Sequence, residues 1–217
     1  MTASPTCPRC GGHLAPPGLW SSDWQCDRDG AVQPLHIHAP ADQRALDHVA
    51  ALARVPLWVP RPLLFGWVIS GVGYAGDERG GARATVLSCS GPSPVGGPAD
   101  LALVAEEPGV GLGARLGGVA DSAPNLPGGP AEMKVHAAHH PTALWAVEGA
   151  DDRVTYIGEA RGIWLWVVLR PASAYILLID SLKLHDLRDG VFASLDLVFG
   201  AASPMLVGLQ GPCRDAP

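Results

Sequence analysis

The run Gly162–Leu169, Gly-Ile-Trp-Leu-Trp-Val-Val-Leu, constrains this chain more than any other stretch. Every position after the glycine is apolar, and most are β-branched or aromatic. A helix that crosses a membrane needs about 20 apolar residues, so this run is too short to span one. A strand with one wet face alternates apolar and polar side chains. This one does not alternate, so the reading is a strand covered on both faces at the centre of the fold.

Further strand-like runs accompany it. Gly66–Ala75 and Ala82–Ser90 flank the hairpin signal Gly76–Gly81, and Asp100–Ala105 follows a Gly/Pro loop. Met133–Val135, Ala143–Val147, Arg153–Ala160, Ala174–Asp180 and Phe192–Phe199 complete the set. The links Gly149–Asp152 and Pro171–Ser173 are too short to cross over to a parallel neighbour, so pairing there is expected to be antiparallel. Leu182–Gly190 carries Lys183, His185, Asp186, Arg188 and Asp189, and reads as a strand end and turn too polar for the core. Pro56–Pro62, with Trp58, is a proline-punctuated lead-in. One clear helix is expected over Pro40–Arg54: Asp42 caps it, Ala45, Leu46, Val49, Ala50 and Ala53 form one stripe, and Pro56 stops it.

The candidate chemistry lies near the start. In Cys7-Pro-Arg-Cys10-Gly-Gly12 two cysteines separated by two residues can point both sulfurs at one ion, and the glycines let the backbone turn tightly. With fifteen residues between it and Cys10, Cys26 opens Cys26-Asp-Arg-Asp29-Gly30, which repeats the pattern with Asp29 in the place of a fourth cysteine. The spacing predicts a structural zinc site held by Cys7, Cys10, Cys26 and Asp29. His36 or His38 could instead supply the fourth ligand, or the site could be degenerate; His13 leaves the first knuckle at a poor angle. A closed four-ligand site staples a segment too short to have much core of its own, whereas catalysis needs an open position.

Composition narrows the function. The net charge is −6, and within residues 1–40 Arg9 and Arg28 face Asp23, Asp27 and Asp29. Nucleic acid is therefore a disfavoured partner, because phosphate binding needs a basic face. The opening Met1–Thr6 has neither the basic nor the apolar region of a signal peptide, and no run is long enough for a membrane span. With five cysteines, three of them clustered, the expectation is a reduced, cytoplasmic protein with thiols for metal. Cys89 reads as a small core hydrophobe.

Other candidates are weaker. Leu19, Trp20 and Trp24 either pack the N-terminal module onto the body or form an interaction surface. Gly109-Val-Gly-Leu-Gly-Ala114 matches a dinucleotide fingerprint in letters, but Glu106, Glu107 and Pro108 separate it from the preceding strand, so tight turns are the better reading. His136, His139 and His140 precede Pro141 and read as surface histidines at a helix end. Glu106/Glu107 and Asp151/Asp152 do not suit paired acid–base work. Glu159 and Asp180, near the ends of expected neighbouring strands, could meet, with Arg161 as the ordinary ion-pair partner.

Taken together, the Cys-Pro-x-Cys-Gly-Gly run, Trp24-Gln-Cys-Asp27, Pro56–Trp58, Gly66-Trp67, Ser90-Gly-Pro92, Leu103–Glu107, Gly109–Arg115, Gly162–Trp166 and Asp186–Asp189 resemble an actinobacterial, Streptomyces-type family of unknown function. The resemblance covers nearly the whole chain. It implies an N-terminal zinc-ribbon-like module and supplies no activity. Relatives carry Cys-Asp-x-His-Gly at the second knuckle, so Asp29 here stands in the histidine place.

The expected architecture is α+β: a zinc-ribbon-like module over 1–39, a connecting helix over 40–55, a mainly antiparallel β-rich domain with few helices over 56–205, and a tail over 206–217. The expected function is a non-enzymatic binding or regulatory protein with a protein partner and a structural zinc. The alternative is a small-molecule-binding protein or enzyme with a pocket on the β-rich domain, lined by groups such as Glu159, Asp180 or Arg115.

Overall fold

A computed structural model describes residues 4–19, 21–120, 126, 128–179, 182–190 and 197–211. Near the N-terminus, β1 (Leu14–Ala15), β2 (Gln25–Cys26) and β3 (Gly30–Ala31) form a small antiparallel sheet. The chain then passes through β4 (Leu35–His38), α1 (Gln43–Leu52), β5 (Trp58–Pro60), β6 (Val68–Asp77), β7 (Gly81–Pro92) and β8 (Pro98–Glu106). After α2 (Leu112–Gly117) come β9 (Met133–Ala137), β10 (His140–Val147), β11 (Val154–Ala160), β12 (Ile163–Arg170), β13 (Lys183–Asp186) and α3 (Pro204–Gly208).

Ten of these strands make one sheet in the order β4-β6-β7-β8-β12-β11-β10-β9-β13-β5. Every neighbouring pair is antiparallel except β9–β13, which is parallel. The sheet curls until its far edge, β5, packs over β7 and β8. The Thr85 hydroxyl on β7 donates to the Pro56 carbonyl there, closing the curl.

Strand β12 is the covered strand that Gly162–Leu169 demands. Its side chains alternate between two cores. Leu165, Val167 and Leu169 join Leu87, Leu103, Trp58 and Leu178 inside the curl. Trp166 and Val168 face the other way, where Val104, Ile157, α2 and α3 cover them through Leu112, Leu116, Met205 and Leu206. Helix α2 comes very close at one point: a Cβ on Gly113 would lie 2.3 Å from the Trp166 ring, so only glycine fits.

The helix forms as its cap and stripe predict. The Asp42 carboxylate accepts from the Ala45 amide at 2.8 Å, and Leu46 and Val49 are buried. Strand β4, read as part of the N-terminal module, is instead the edge of the large sheet. Two other expectations are corrected. The strand expected over Ala174–Asp180 is a 3₁₀ segment, Ala172–Leu178, as far as it is described. Its buried residues Ala174 and Leu178 are four apart, a helical spacing that a short apolar run hides. The segment read as too polar for the core contains an interior strand, β13. Leu184 and Asp186 on it are fully buried, while Lys183 and His185 face outward. Asp180 and most of the strand expected over Phe192–Phe199 lie outside the described residues.

Candidate metal centre

Both knuckles turn as their glycines allow. The Cys7 amide donates to the Gly12 carbonyl and the Gly11 amide to the Cys7 carbonyl, each at 2.9 Å. Gly11 sits at φ +74°, and the Gly12 amide donates to Cys10 Sγ at 3.4 Å. These turns, with the β1–β2–β3 hairpins, bring Cys7, Cys10, Cys26 and Asp29 together, and their ligand atoms all lie within 4.8 Å of one another. Cys7 Sγ is 3.1 Å and Cys26 Sγ 3.6 Å from Asp29 Oδ2, and the Cys10 and Cys26 sulfurs are 3.5 Å apart. A tetrahedral zinc with bonds of about 2.3 Å to sulfur places its ligand atoms roughly 3.8 Å apart, so the donor set fits one ion.

The protonation chemistry also fits. Burial pushes the Cys7 thiol up, the Asp29 carboxylate beside it adds to this, and the amides of Cys10 and Arg9 oppose it. Burial and Asp29 likewise raise Cys10. Burial would also raise Asp29, but hydrogen bonds from Cys10, Cys7 and Cys26 hold it below its usual value. The Asp29 carboxylate receives the thiol protons, and an ion bound here would displace them.

The alternative ligands are elsewhere. His36 stacks on Tyr74 with ring centroids 4.7 Å apart, and His38 meets His48 edge-on at 6.2 Å, both on the large sheet. His13 is exposed. Reciprocal arginine contacts tie the module to the body. Arg9 donates to the Gly109 carbonyl, and Arg115 on α2 donates to Cys7 O at 3.0 Å and to Leu209 O and Gly211 O, each at 2.9 Å. Arg115, expected beside a pocket, is this clamp instead. Leu19 is exposed and Trp24 half-buried, while Trp20 lies outside the described residues.

The remaining candidates have structural partners. The Gly109–Ala114 run leads into α2, whose first amides are already taken. Glu106, fully buried, accepts from Leu112 N at 2.8 Å and Gly113 N at 3.3 Å. Burial raises this carboxyl to about 7 against the pull of those amides. Glu107 pairs with Arg83 at 2.6 Å, and Asp152 pairs with Arg153 at 2.7 Å and Arg170 at 2.9 Å. Arg161 does not serve Glu159, which points out to solvent from β11. Arg161 reaches Asp186 at 2.9 Å and Asp189 at 2.7 Å. The histidines 136–140 form a β9–β10 hairpin, not a helix end, with Ala138 and His139 at positive φ.

Sequence reading missed one group. Arg61, Pro62, His136, His139, Lys183 and His185 line a cleft of about 480 Å³. The Lys-Leu-His-Asp alternation over 183–186 carries the signal, hidden by the polarity of its surroundings. A larger groove of about 840 Å³ passes Ser90, Asp100 and Arg170.

Among the described residues, no helix is long and apolar enough to cross a membrane. The chain matches no curated protein and no solved structure. Residues 1–206 match a family of unknown function, DUF6758, and the chain belongs to that family.

Proposed function

We propose that this chain is a non-enzymatic, cytoplasmic binding protein whose N-terminal module is a zinc ribbon, held by Cys7, Cys10, Cys26 and Asp29, that docks a partner protein. The convergence of four ligand atoms within 4.8 Å carries the metal reading. Zinc is favoured over other ions because three thiolates and one carboxylate in a small, closed, tetrahedral set suit it. The role is structural: all four positions come from the protein, and Arg115 fixes the Cys7 knuckle against the body. Leu19, a fully exposed large apolar side chain on the module, is the residue at which the partner reading is tested.

Metal analysis of the purified chain tests the first part. One zinc per chain is expected, lost in Cys26→Ser and held more weakly in Asp29→Ala. Zinc retained at full stoichiometry by Cys26→Ser would refute the assigned ligand set. For the second part, a partner captured by the wild-type chain should be released by Leu19→Asp with the metal retained.

A further inference from the structure

We propose that the cleft between β9, β13 and the end of β5 is a binding site for a phosphoryl group, carried by a small molecule or free as inorganic phosphate. The sheet register builds it. On β13, Leu184 and Asp186 point into the core, so Lys183 and His185 share the outer face. On β9, Val135 and Ala137 point into the core, so His136 shares that face too. Lys183 is directly opposite His136 on the parallel side. On the other side Leu184 pairs with Pro60, and the Arg61 amide donates to the Lys183 carbonyl at 2.8 Å, which places Arg61 beside Lys183. An imidazole, an ammonium and a guanidinium thus stand in one row across adjacent strands. The β9–β10 turn adds His139, whose ring meets His185 edge-on at 5.1 Å.

Three properties point to an anion of this class. The lining gathers Arg61, Lys183 and three imidazoles in a chain of net charge −6. Burial lowers His185, and His139, Arg61 and Lys183 lower it further, with Asp189 opposing. His136 Nδ1 is buried without a hydrogen-bond partner among the described residues, a donor or acceptor in reserve. The cleft is concave and of small-ligand size. A metal is a poorer fit, because among the described residues these imidazoles form no group of three close enough to share an ion.

Calorimetric titration of the full chain with inorganic phosphate and with ribose 5-phosphate, at matched ionic strength in chloride, tests this. Saturable one-to-one binding is expected, with NMR shifts of the His139 and His185 ring protons. Lys183→Ala and, separately, His185→Gln should each weaken it, Lys183→Ala by about tenfold, while Arg44→Ala on the exposed face of α1 leaves it unchanged. Tighter binding of the sugar phosphate assigns the site to phosphomonoesters, and equal binding assigns it to the free anion. Absent saturation, or affinity unchanged in folded Lys183→Ala and His185→Gln, overturns the proposal.

Discussion

Residues 4–33 and the ten-stranded sheet are held together by different means. Among the described residues, the buried apolar cluster of the N-terminal module is Cys7, Cys26 and Val32, two of which are candidate metal ligands. The sheet has an apolar cluster on each side of β12, with Trp58 packed in one and Trp166 in the other. A segment with so little to bury needs a staple, and a two-sided sheet does not. The contrast teaches where each part is vulnerable: the module at its ligands, the body at its packing, and the joint between them at Arg115.

The largest expected effect is the loss of the module itself. Structural zinc in small domains contributes on the order of 10 kcal/mol to folding, so Cys26→Ser should release metal and unfold residues 4–33 while leaving the near-ultraviolet signal of the body in place. Metal affinity of the wild type should also fall with pH, because the raised Cys7 and Cys10 thiols must give up protons to bind; zinc-competition titrations across pH read this. Trp166→Ala should do the reverse of Cys26→Ser. It empties the space between β12 and α2 at a cost of about 3–5 kcal/mol in denaturant unfolding, with zinc content unchanged.

How far the sequence announced this contrast depends on the signal each region carries. The knuckles were legible because Cys-x-x-Cys-Gly-Gly spacing implies a turn and a pair of sulfurs regardless of the fold around them. Strand β12 was legible because its short unbroken apolar run is also rich in β-branched and aromatic residues. Strand β13 was not, because its inward Asp186 looks like surface until Arg161, Arg188 and the Leu57 amide are seen to satisfy it. The cleft was not, because its residues come from three segments that the parallel β9–β13 and antiparallel β13–β5 pairings bring side by side. Ala174–Leu178 was misread because a short apolar run has no period of its own.

A smaller effect sharpens the contrast within the body. Glu106 is buried with its carboxyl raised to about 7, so the fold prefers its neutral form. That stabilisation is complete below the unfolded value near 4.5 and is lost as pH rises through about 7. Relative to Glu106→Gln, the wild type should therefore lose about 3 kcal/mol of stability between roughly pH 4 and pH 8. Denaturant titrations of both proteins at the two ends measure it, and parallel pH profiles would contradict it. The smallest effect is expected at the joint. Arg115→Ala removes charged donors from three carbonyls and should cost about 2 kcal/mol, loosening the module without releasing its metal.

Hydrogen exchange of the full chain, with zinc and after chelation, tests the central claim most directly. The account predicts that chelation strips protection from the amides of Cys7, Gly11, Gly12 and Val32 and leaves those of β12 and its neighbours β8 and β11 unchanged. Equal protection of the module with and without metal, or loss of protection spreading through β12, would contradict it.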